Sequence, residues 1–271
     1  RRFRLGPEHH PIALYRALAG IDGFQRRAAR SLAQIFENRR QYPRAAEHWG
    51  RAGNAAAVAQ ITGKWGRFAR ATTRPAGTAV TLDYVFRNGT TLKLQAWRVD
   101  VDGLLAHVRD TLREHRDGQL DWQELEVEHL GRRLVTRGDR RFLGDRVARW
   151  DQELEPLDDH FDRRVRIDTP LKEAGAYLVE ATLLGGNTSR MVVWVADTAL
   201  VRKNVDGQAW VYCADARTGA PVADAEVHLF GFDVDRRDRR FRVDSQEHRL
   251  RTGADGIARL DGRQLADGHR W

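Results

Sequence analysis

Nucleophilic catalysis in this chain would have to rest on one cysteine, Cys213, or on three serines, Ser31, Ser189 and Ser245. Cys213 lies within an apolar run, where burial raises the pKa of a thiol and keeps it protonated. None of the serines stands in a Gly-x-Ser-x-Gly turn, the motif that presents a serine nucleophile above a sheet. The sequence therefore predicts a protein that is not an enzyme and has no catalytic residues.

Residues that could bind a metal ion are present but poorly spaced. A His-His pair at 9–10 and an Asp-Asp-His run at 158–160 lack His-Glu-x-x-His spacing and a second cluster at helical distance. The segment 100–103 (Asp-Val-Asp-Gly) contains the start of a calcium loop without its later ligands, so we expect a strand-to-helix cap there. No glycine-rich phosphate loop occurs. We predict no metal site and no cofactor.

Three short motifs have simpler explanations than their functional ones. The Arg-Gly-Asp tripeptide at 137–139 is the kind of match that arises by chance in a chain rich in arginine and glycine. The segments 88–90 (Asn-Gly-Thr) and 187–189 (Asn-Thr-Ser) fit glycosylation acceptors, and both also fit hairpin turns. We favour the turns.

The positive charge is spread along the chain. Lys+Arg number 46 against 38 Asp+Glu, giving a net charge of +8, and acidic residues are interspersed among the basic ones, even in the densest run at 236–242. A nucleic-acid binder usually gathers its basic residues in one stripe. We therefore expect a solvated hairpin tip at 236–242 and no nucleic-acid partner. The alternative, a basic nucleic-acid-binding module, would show affinity that falls steeply with salt.

The size and composition predict a globular fragment of about two domains. A hydrophobic fraction of 41% can fill such cores, and one cysteine excludes disulfide scaffolds and cysteine-rich zinc modules. The longest apolar stretches, such as Met191–Ala196, are far shorter than the roughly 20 residues of a membrane span. The sequence begins at Arg1 without a leader and stops at Trp271 within a strand-rich region, so we expect it to be part of a longer protein.

Residues 1–62 are predicted to be helical, because apolar residues recur at a spacing near 3.6 from Pro11 to Ile61. A break at Asn38–Pro43 and a stop at Gly53-Asn54 indicate a helical hairpin. One predicted face consists of Phe24, Ala28, Leu32, Ile35 and Phe36, and the other of Ala45, Ala46, Trp49 and Ala52.

This pattern of small and aromatic residues resembles one tetratricopeptide repeat, and such a repeat needs neighbouring helices, expected before Arg1. Two roles remain open for it, a partner-binding groove or scaffold packing, and we favour packing.

From residue 63 the period changes to two, which predicts a β-sandwich over 63–197 with a helical insertion at about 101–137. Alternating runs on both sides of Asn88-Gly89 predict a hairpin there. Within the insertion, Asp121 and Glu124 fit the cap of a second helix. Strands are expected to resume at Val147 and to turn again at 185–187 (Gly-Gly-Asn).

Residues 198–271 predict a second, truncated sandwich. Strands are expected at Leu200–Val201, Ala209–Cys213, Ala225–Phe230 and Phe241–Val243, followed by a tight turn at 252–256 into Ile257. The fold class is therefore mainly β, with an α-helical amino-terminal segment.

Two segments of this region resemble a known family. The run Ser189–Asp197 ends in Trp-Val-Ala-Asp and leads into Leu-Val-Arg-Lys at 200–203, a junction similar to that between macroglobulin domains of bacterial alpha-2-macroglobulin-like proteins. The family's next turn, Asp-x-x-Thr-Gly-x-Pro-Val-x-x-Ala-x-Val, is matched by Asp215, Thr218, Gly219, Pro221, Val222, Ala225 and Val227, and its Thr-x-x-Asp-Gly element by Thr252, Asp255 and Gly256.

The resemblance implies immunoglobulin-like macroglobulin sandwiches, MG2 domains among them, from a large endopeptidase inhibitor of the bacterial cell envelope or periplasm. Members of this family present a bait segment, and its cleavage makes the inhibitor close around the protease, often with covalent capture by a Cys-Gln thioester. Cys213 lacks the required glutamine, so this chain would be structural frame, with proteases and further domains of the same protein as its partners. The alternative is a bacterial surface adhesion protein built from immunoglobulin-like repeats, which use a similar turn.

Overall fold

The computed structural model describes residues 6, 9–69, 73–114, 132–136, 140–206, 208–237, 240–265 and 268–270. Four helices come first and thirteen strands in four sheets follow in the described part, with further helices inserted among the strands. This confirms the predicted fold class.

The amino-terminal helices are α1 (Pro11–Leu18), α2 (Gln25–Asn38), α3 (Tyr42–Arg51) and α4 (Ala55–Thr62). The break after Asn38 and the stop near Gly53 are confirmed, and Asn54 also caps α4 by accepting a hydrogen bond from the Ala57 amide at 3.1 Å. Small side chains let α2 and α3 pack closely. The core that they form together with α4 contains Leu32, Ala33, Phe36, Ala45, Ala46, Trp49 and Ile61.

The prediction was wrong for Phe24, which is 44% exposed. Phe24 precedes the first residue of α2 with its backbone near the helical region, and it lies outside the core that Leu32 and Phe36 form with α3.

The next strands form a sandwich of two sheets. The strands are β1 (Trp65–Phe68), β2 (Thr73–Pro75), β3 (Thr81–Arg87), β4 (Thr91–Val99), β5 (Leu143–Glu153), β6 (Arg163–Asp168), β7 (Gly175–Leu183) and β8 (Thr188–Ala196). One sheet has the order β1-β3-β6 and the other β2-β8-β7-β4-β5. All pairs are antiparallel except β2–β8. Alternate residues of both sheets meet in one core, which includes Tyr84, Phe86, Leu94, Val179 and Val193.

The predicted hairpin at Asn88-Gly89 is wrong. Strand β3 pairs with β1 and β6, and β4 pairs with β5 and β7, so the two runs lie in different sheets and face each other across the core. The physical reason is that both edges of each strand are already occupied. Asn88 adopts a positive φ of 57°, and its side-chain amide donates to the carbonyls of Ile61 and Gly63 at 3.1 and 3.0 Å.

The helical insertion is confirmed in its described parts, α5 (Val101–Glu114) and α6 (Arg132–Thr136). The Asp100 carboxylate accepts a hydrogen bond from the Gly103 amide at 2.9 Å, as expected of a helix cap. The predicted cap at Asp121 and Glu124 lies outside the described residues. Strand β5 begins at Leu143, four residues before the expected Val147.

The last strands are β9 (Thr198–Val205), β10 (Gln208–Asp215), β11 (Glu226–Arg237), β12 (Arg240–Arg251) and β13 (Ile257–Asp261). They form a sheet of order β13-β10-β9 and a long β11–β12 hairpin. Strands β11 and β12 extend beyond the predicted strands because their pairing continues to Arg237 and Arg240. A small core of Val211, Cys213, Val227 and Ala258 lies between the two sheets.

The predicted domain limits remain a proposal, with α1–α4, β1–β8 and β9–β13 as their described contents. Strands β8 and β9 are separated by Asp197 alone and belong to different sheets. Among the described residues, no helix has the length and apolar character that crossing a membrane requires.

Candidate functional site

The structure places Cys213 in β10, where it is buried. Burial raises the pKa of its thiol, as the sequence predicts, so thiolate is disfavoured at neutral pH. Ser189 has a structural use, because its hydroxyl accepts a hydrogen bond from the Phe68 amide at 3.1 Å. Neither residue is placed for nucleophilic attack.

The histidine and aspartate residues considered as metal ligands lie at turns and at the start of a helix. The Nδ1 atom of His10 accepts a hydrogen bond from the Ile12 amide at 3.3 Å at the start of α1. His160 and Asn88 form a hydrogen bond of 2.9 Å between Nδ1 and Oδ1, and Asp159 and His160 both have positive φ. Within the described ranges, no group of three His, Cys, Asp or Glu residues could hold a metal ion.

Asn187 is a turn residue whose amide is fully used. It accepts from the Gly66 amide and donates to the Gly66 carbonyl, both at 2.8 Å, and so ties the β7–β8 hairpin to β1. A glycan would be attached to Nδ2 of Asn187, the atom that makes the second of these bonds. The Arg-Gly-Asp tripeptide at 137–139 lies outside the described residues, as do the side chains of 235–242.

The family-like motif forms one hydrogen-bonded corner of the β9–β13 region. The Asp215 carboxylate accepts from the amides of Arg217 and Thr218 at 3.0 and 2.7 Å, and these bonds lower its pKa. The buried Thr252 hydroxyl accepts from the Ala225 amide at 2.8 Å and donates to the Val222 carbonyl at 2.7 Å. Distant parts of the motif therefore serve one purpose, which is to fix this corner.

A second contact joins the two β regions, and we call it the clasp. Val108 and Leu112 of α5 pack in one apolar cluster with Phe232 and Val243 of the long hairpin. Arg113 forms an ion pair with Glu247 across this cluster.

Polar contacts complete the clasp. Glu247 lies 3.3 Å from Nε2 of His228, whose Nδ1 is 3.0 Å from the Arg109 guanidinium. The helix inserted between β4 and β5 thus holds the hairpin of the following region.

The amino-terminal helices form a cavity of about 650 Å³, which we call the helical pocket. Its apolar wall consists of Ala29, Leu32 and Phe36 on α2. Arg16 on α1 and Arg44 on α3 are among the residues that line its polar side. This volume falls in the range of ordinary ligand sites, about 300–1,000 Å³.

The polar lining of the helical pocket carries excess positive charge. Glu47 pairs with Arg51 at 2.5 Å, which leaves Arg16 and Arg44 without a carboxylate partner among the described residues. Arg44 makes only a 3.5 Å bond to Gln41 and lies over the Phe36 ring at 5.8 Å.

A buried histidine completes the lining. His48 stacks on Phe36 with ring centroids 5.2 Å apart, and its Nδ1 atom has no hydrogen-bond partner in the part of the chain that the structure describes. Burial is the largest cause that lowers the pKa of His48; Arg51 and Arg16 lower it further and Glu47 raises it. The imidazole is therefore kept neutral in a cationic surrounding.

The sequence pointed to this segment without identifying the pocket. The helical pattern predicted the apolar faces of the helices that form the pocket, because buried positions repeat with the helical period. Arg16 and His48 carried no recognisable signal, since each stands alone in the sequence and the two approach each other only when the helices fold around the cavity.

No protein-family model and no curated protein matches the chain. The crystal structure of native alpha-2-macroglobulin from Escherichia coli spanning domains MG0-NIE-MG1 is similar to it, with 13% identity, a TM-score of 0.42, and coverage of 73% of this chain and 64% of that one. For the crystal structure spanning NIE-MG1 of the same protein, identity is 13%, the TM-score 0.44, and coverage 74% and 98%.

The chain is similar in structure to the amino-terminal domains of bacterial alpha-2-macroglobulin. A cryo-EM reconstruction of the native Escherichia coli protein matches with 13% identity and a TM-score of 0.40, over 77% of this chain and 12% of that one. This chain therefore spans 64% of the first of these structures and about an eighth of the last. The likeness concerns the fold.

Proposed function

We propose that this chain is a non-catalytic structural part of a large alpha-2-macroglobulin-like endopeptidase inhibitor that traps proteases after cleavage of a bait segment. The observation that carries the proposal is the junction at Asp197. There the family-like run of β8 passes into the family-like run of β9 with a single residue between strands of different sheets.

The geometry of this junction suits a frame that transmits force. A one-residue link leaves little freedom between two sheets, and the Asp197 carbonyl also accepts a hydrogen bond from the Ala216 amide at 2.8 Å. The clasp joins the same two regions a second time. Two attachments resist rotation better than one, which supports a role in a multidomain device that changes shape on proteolysis.

The remaining features of the proposal come from the sequence resemblance. Proteases and further domains of the same protein are its proposed partners, the bait and any thioester lie outside this chain, and the cell envelope or periplasm is its proposed location. We also propose that α2 and α3 form a tetratricopeptide-like unit and that the β9–β13 region belongs to a macroglobulin domain of the MG2 type. No catalysis or cofactor is assigned to the chain.

The test uses the complete protein expressed from its gene. It is mixed with a broad-specificity protease, and activity is followed on a small peptide and on a large protein substrate. A trap predicts loss of activity on the large substrate, retention on the peptide, and one discrete cut in the inhibitor. Persistence of both activities, with no cut or with many cuts, would refute it. The protease alone, and the protease with heat-unfolded inhibitor, are the controls.

The adhesion-protein alternative is supported by the corner around Pro221 and Gly256, a turn also typical of immunoglobulin-like surface repeats. The two proposals differ in the domains that they expect downstream in the gene. A Cys-Gly-Glu-Gln-like motif and a helical toroid-like domain would favour the trap, and repeated sandwiches would favour the adhesin.

A further inference from the structure

We propose that Asn88 is a deamidation site, protected while the helices α1–α4 are docked on the sandwich of β1–β8, and that its conversion to aspartate releases those helices. The inference goes beyond the proposed function and does not depend on it. It starts from the Asn-Gly pair at 88–89, which connects strands of different sheets and therefore does not serve as a hairpin turn.

The reaction needs only Asn88, Gly89 and water. The Gly89 amide nitrogen attacks Cγ of Asn88, the side-chain nitrogen leaves as ammonia, and the proton of the attacking nitrogen ends on that ammonia. Water then opens the succinimide ring at either carbonyl and gives aspartate or isoaspartate, with no oxidation or reduction. A following glycine favours ring closure because it has no Cβ to hinder the attack. Of the five asparagines in the chain, Asn88 alone precedes a glycine.

Packing requires a glycine at this reactive position. Gly89 is buried, and a Cβ there would lie 2.4 Å from Cδ1 of Leu183, at the end of β7. A larger residue would therefore push Leu183 out of the main core, where it has no exposed surface. The fold thus keeps a glycine after Asn88 although the pair is chemically reactive.

Three hydrogen bonds hold the Asn88 side chain. Its Nδ2 donates to the carbonyls of Ile61 and Gly63 at 3.1 and 3.0 Å, and its Oδ1 accepts from Nδ1 of His160 at 2.9 Å. Because Cγ reaches the Gly89 nitrogen only when the side chain rotates, these bonds must break first. We therefore expect the reaction to need detachment of the end of α4.

Neighbouring contacts keep the helices docked. Arg87 donates to the Gln60 carbonyl at 3.0 Å, and its guanidinium lies over the Tyr42 ring at 5.6 Å. Tyr42 also meets Phe161 edge to face, with ring centroids 5.1 Å apart. These contacts join α3 and α4 to the sandwich beside Asn88, so weakening them should speed the reaction there.

Deamidation removes the donor on which the docking depends. The carboxylate of the product only accepts hydrogen bonds, and it faces the carbonyl oxygens of Ile61 and Gly63, which also only accept. Two hydrogen bonds are lost and partly negative oxygens are left opposed, so the product favours the detached helices. A transient detachment thereby becomes lasting.

The first experiment measures the reaction rate. The full 271-residue chain is incubated in mildly alkaline buffer, and peptide mapping by mass spectrometry quantifies aspartate and isoaspartate at position 88. We expect at least about tenfold slower reaction than in a synthetic peptide of residues 84–92, because the folded chain must open locally. Phe161→Ala should speed the reaction about threefold or more, since it removes the ring contact to Tyr42. The control is Phe24→Ala, at an exposed position of the helical segment, and should stay within about twofold.

The second experiment measures the consequence. In Asn88→Asp, hydrogen exchange in α4 should rise about tenfold or more, because two hydrogen bonds are lost, while exchange in β4 and β7 stays unchanged. Asn204→Asp makes the same chemical change at an exposed position of β9 and is the control. Circular dichroism checks that both variants are folded.

Three results would overturn the proposal. These are a rate at Asn88 equal to that of the peptide, equal rates in the Phe161 and Phe24 variants, and equal α4 exchange in the Asn88 and Asn204 variants. If the Asn88 variant fails to fold, the incubated chain decides. Its deamidated and intact fractions are separated by charge, and only the deamidated fraction should show faster exchange in α4.

Discussion

The two β regions share a layered design but differ in the contacts that hold the layers together. The sandwich of β1–β8 has eighteen buried side chains in its core, among them the fully buried Tyr84 and Phe86. The described core between the sheets of β9–β13 has four, Val211, Cys213, Val227 and Ala258, and none is aromatic. Since burial stabilises by about 25 cal/mol per Å² of apolar surface, the first region is stabilised mainly by its core.

The second region depends on other contacts. Its corner is held by hydrogen bonds of Asp215 and Thr252, and part of its long hairpin is covered by α5 of the first region. We infer that β9–β13 is the less stable region and that its stability depends on the clasp. If the protein changes shape after a cut elsewhere, a less stable region that is held by one contact can move while the stable region keeps its fold.

The largest expected effect is in the first core. Phe86→Ala removes a fully buried ring that packs beside Tyr84, and should destabilise the chain by about 3–5 kcal/mol. Urea unfolding followed by tryptophan fluorescence measures it. The control is Phe24→Ala, a substitution of the same type at a half-exposed position, which should cost well under about 1.5 kcal/mol. Similar losses in both variants would contradict the assignment of the main core to β1–β8.

A smaller effect is expected at the clasp. Leu112→Ala removes a side chain with no exposed surface and should cost about 2–4 kcal/mol, with hydrogen exchange in β11 and β12 rising along with that in α5. Leu105→Ala, on the same helix but 39% exposed, is the control. If Leu112→Ala loosens α5 and leaves the hairpin protected, the two regions are not coupled through the clasp.

The corner offers a third test. Gly256 has a φ of 71°, and a Cβ there would lie 2.7 Å from the Cys213 carbonyl oxygen, so Gly256→Ala should cost about 1–3 kcal/mol. Gly219 has a nearly equal φ of 73° with nothing within 4 Å, so Gly219→Ala carries the backbone strain alone. We expect Cys213, buried beside this corner, to react with a thiol reagent faster in the first variant than in the second. Equal reaction rates would mean that the contact between a Cβ at position 256 and the Cys213 carbonyl oxygen does not change access to the thiol.

The sequence predicted the features that depend on local periodicity. Helix positions, the β7–β8 turn and the Asp100 cap are set by neighbouring residues, and all three appear in the structure. The hairpin at Asn88-Gly89 failed because a turn signal specifies a chain reversal without specifying which strands pair. That choice is made by distant partners, β1 and β6 for β3, and β5 and β7 for β4.

The clasp and the helical pocket were not predicted from the sequence, for a related reason. The clasp joins residues 108–113 to residues 228–247, and the helical pocket combines residues from three helices. No residue of either set has a distinctive local motif. The burial of Cys213 was predicted correctly, because a strand of apolar neighbours is enough to indicate it.

The smallest expected effect concerns His48, the buried histidine of the helical segment. Its lowered pKa means that at pH values between that pKa and 6.5 the unfolded chain binds a proton that the folded chain does not. The contribution to stability is therefore present above pH 6.5 and is lost as pH falls through the lowered pKa. Imidazole proton NMR should give a His48 midpoint below 6.5.

Variants around His48 test the causes separately. Arg16→Gln should move the midpoint upward, because Arg16 lowers the pKa, whereas Glu47→Gln should move it downward, because Glu47 raises it. Arg30→Gln, exposed and outside the pocket, should leave it unchanged. A midpoint at or above 6.5 would contradict the burial of His48, and the same shift in the Arg16 and Arg30 variants would mean that Arg16 does not lie near His48 in solution. Opposite shifts at Arg16 and Glu47 would instead place both charges near the imidazole, as the folded helices have them.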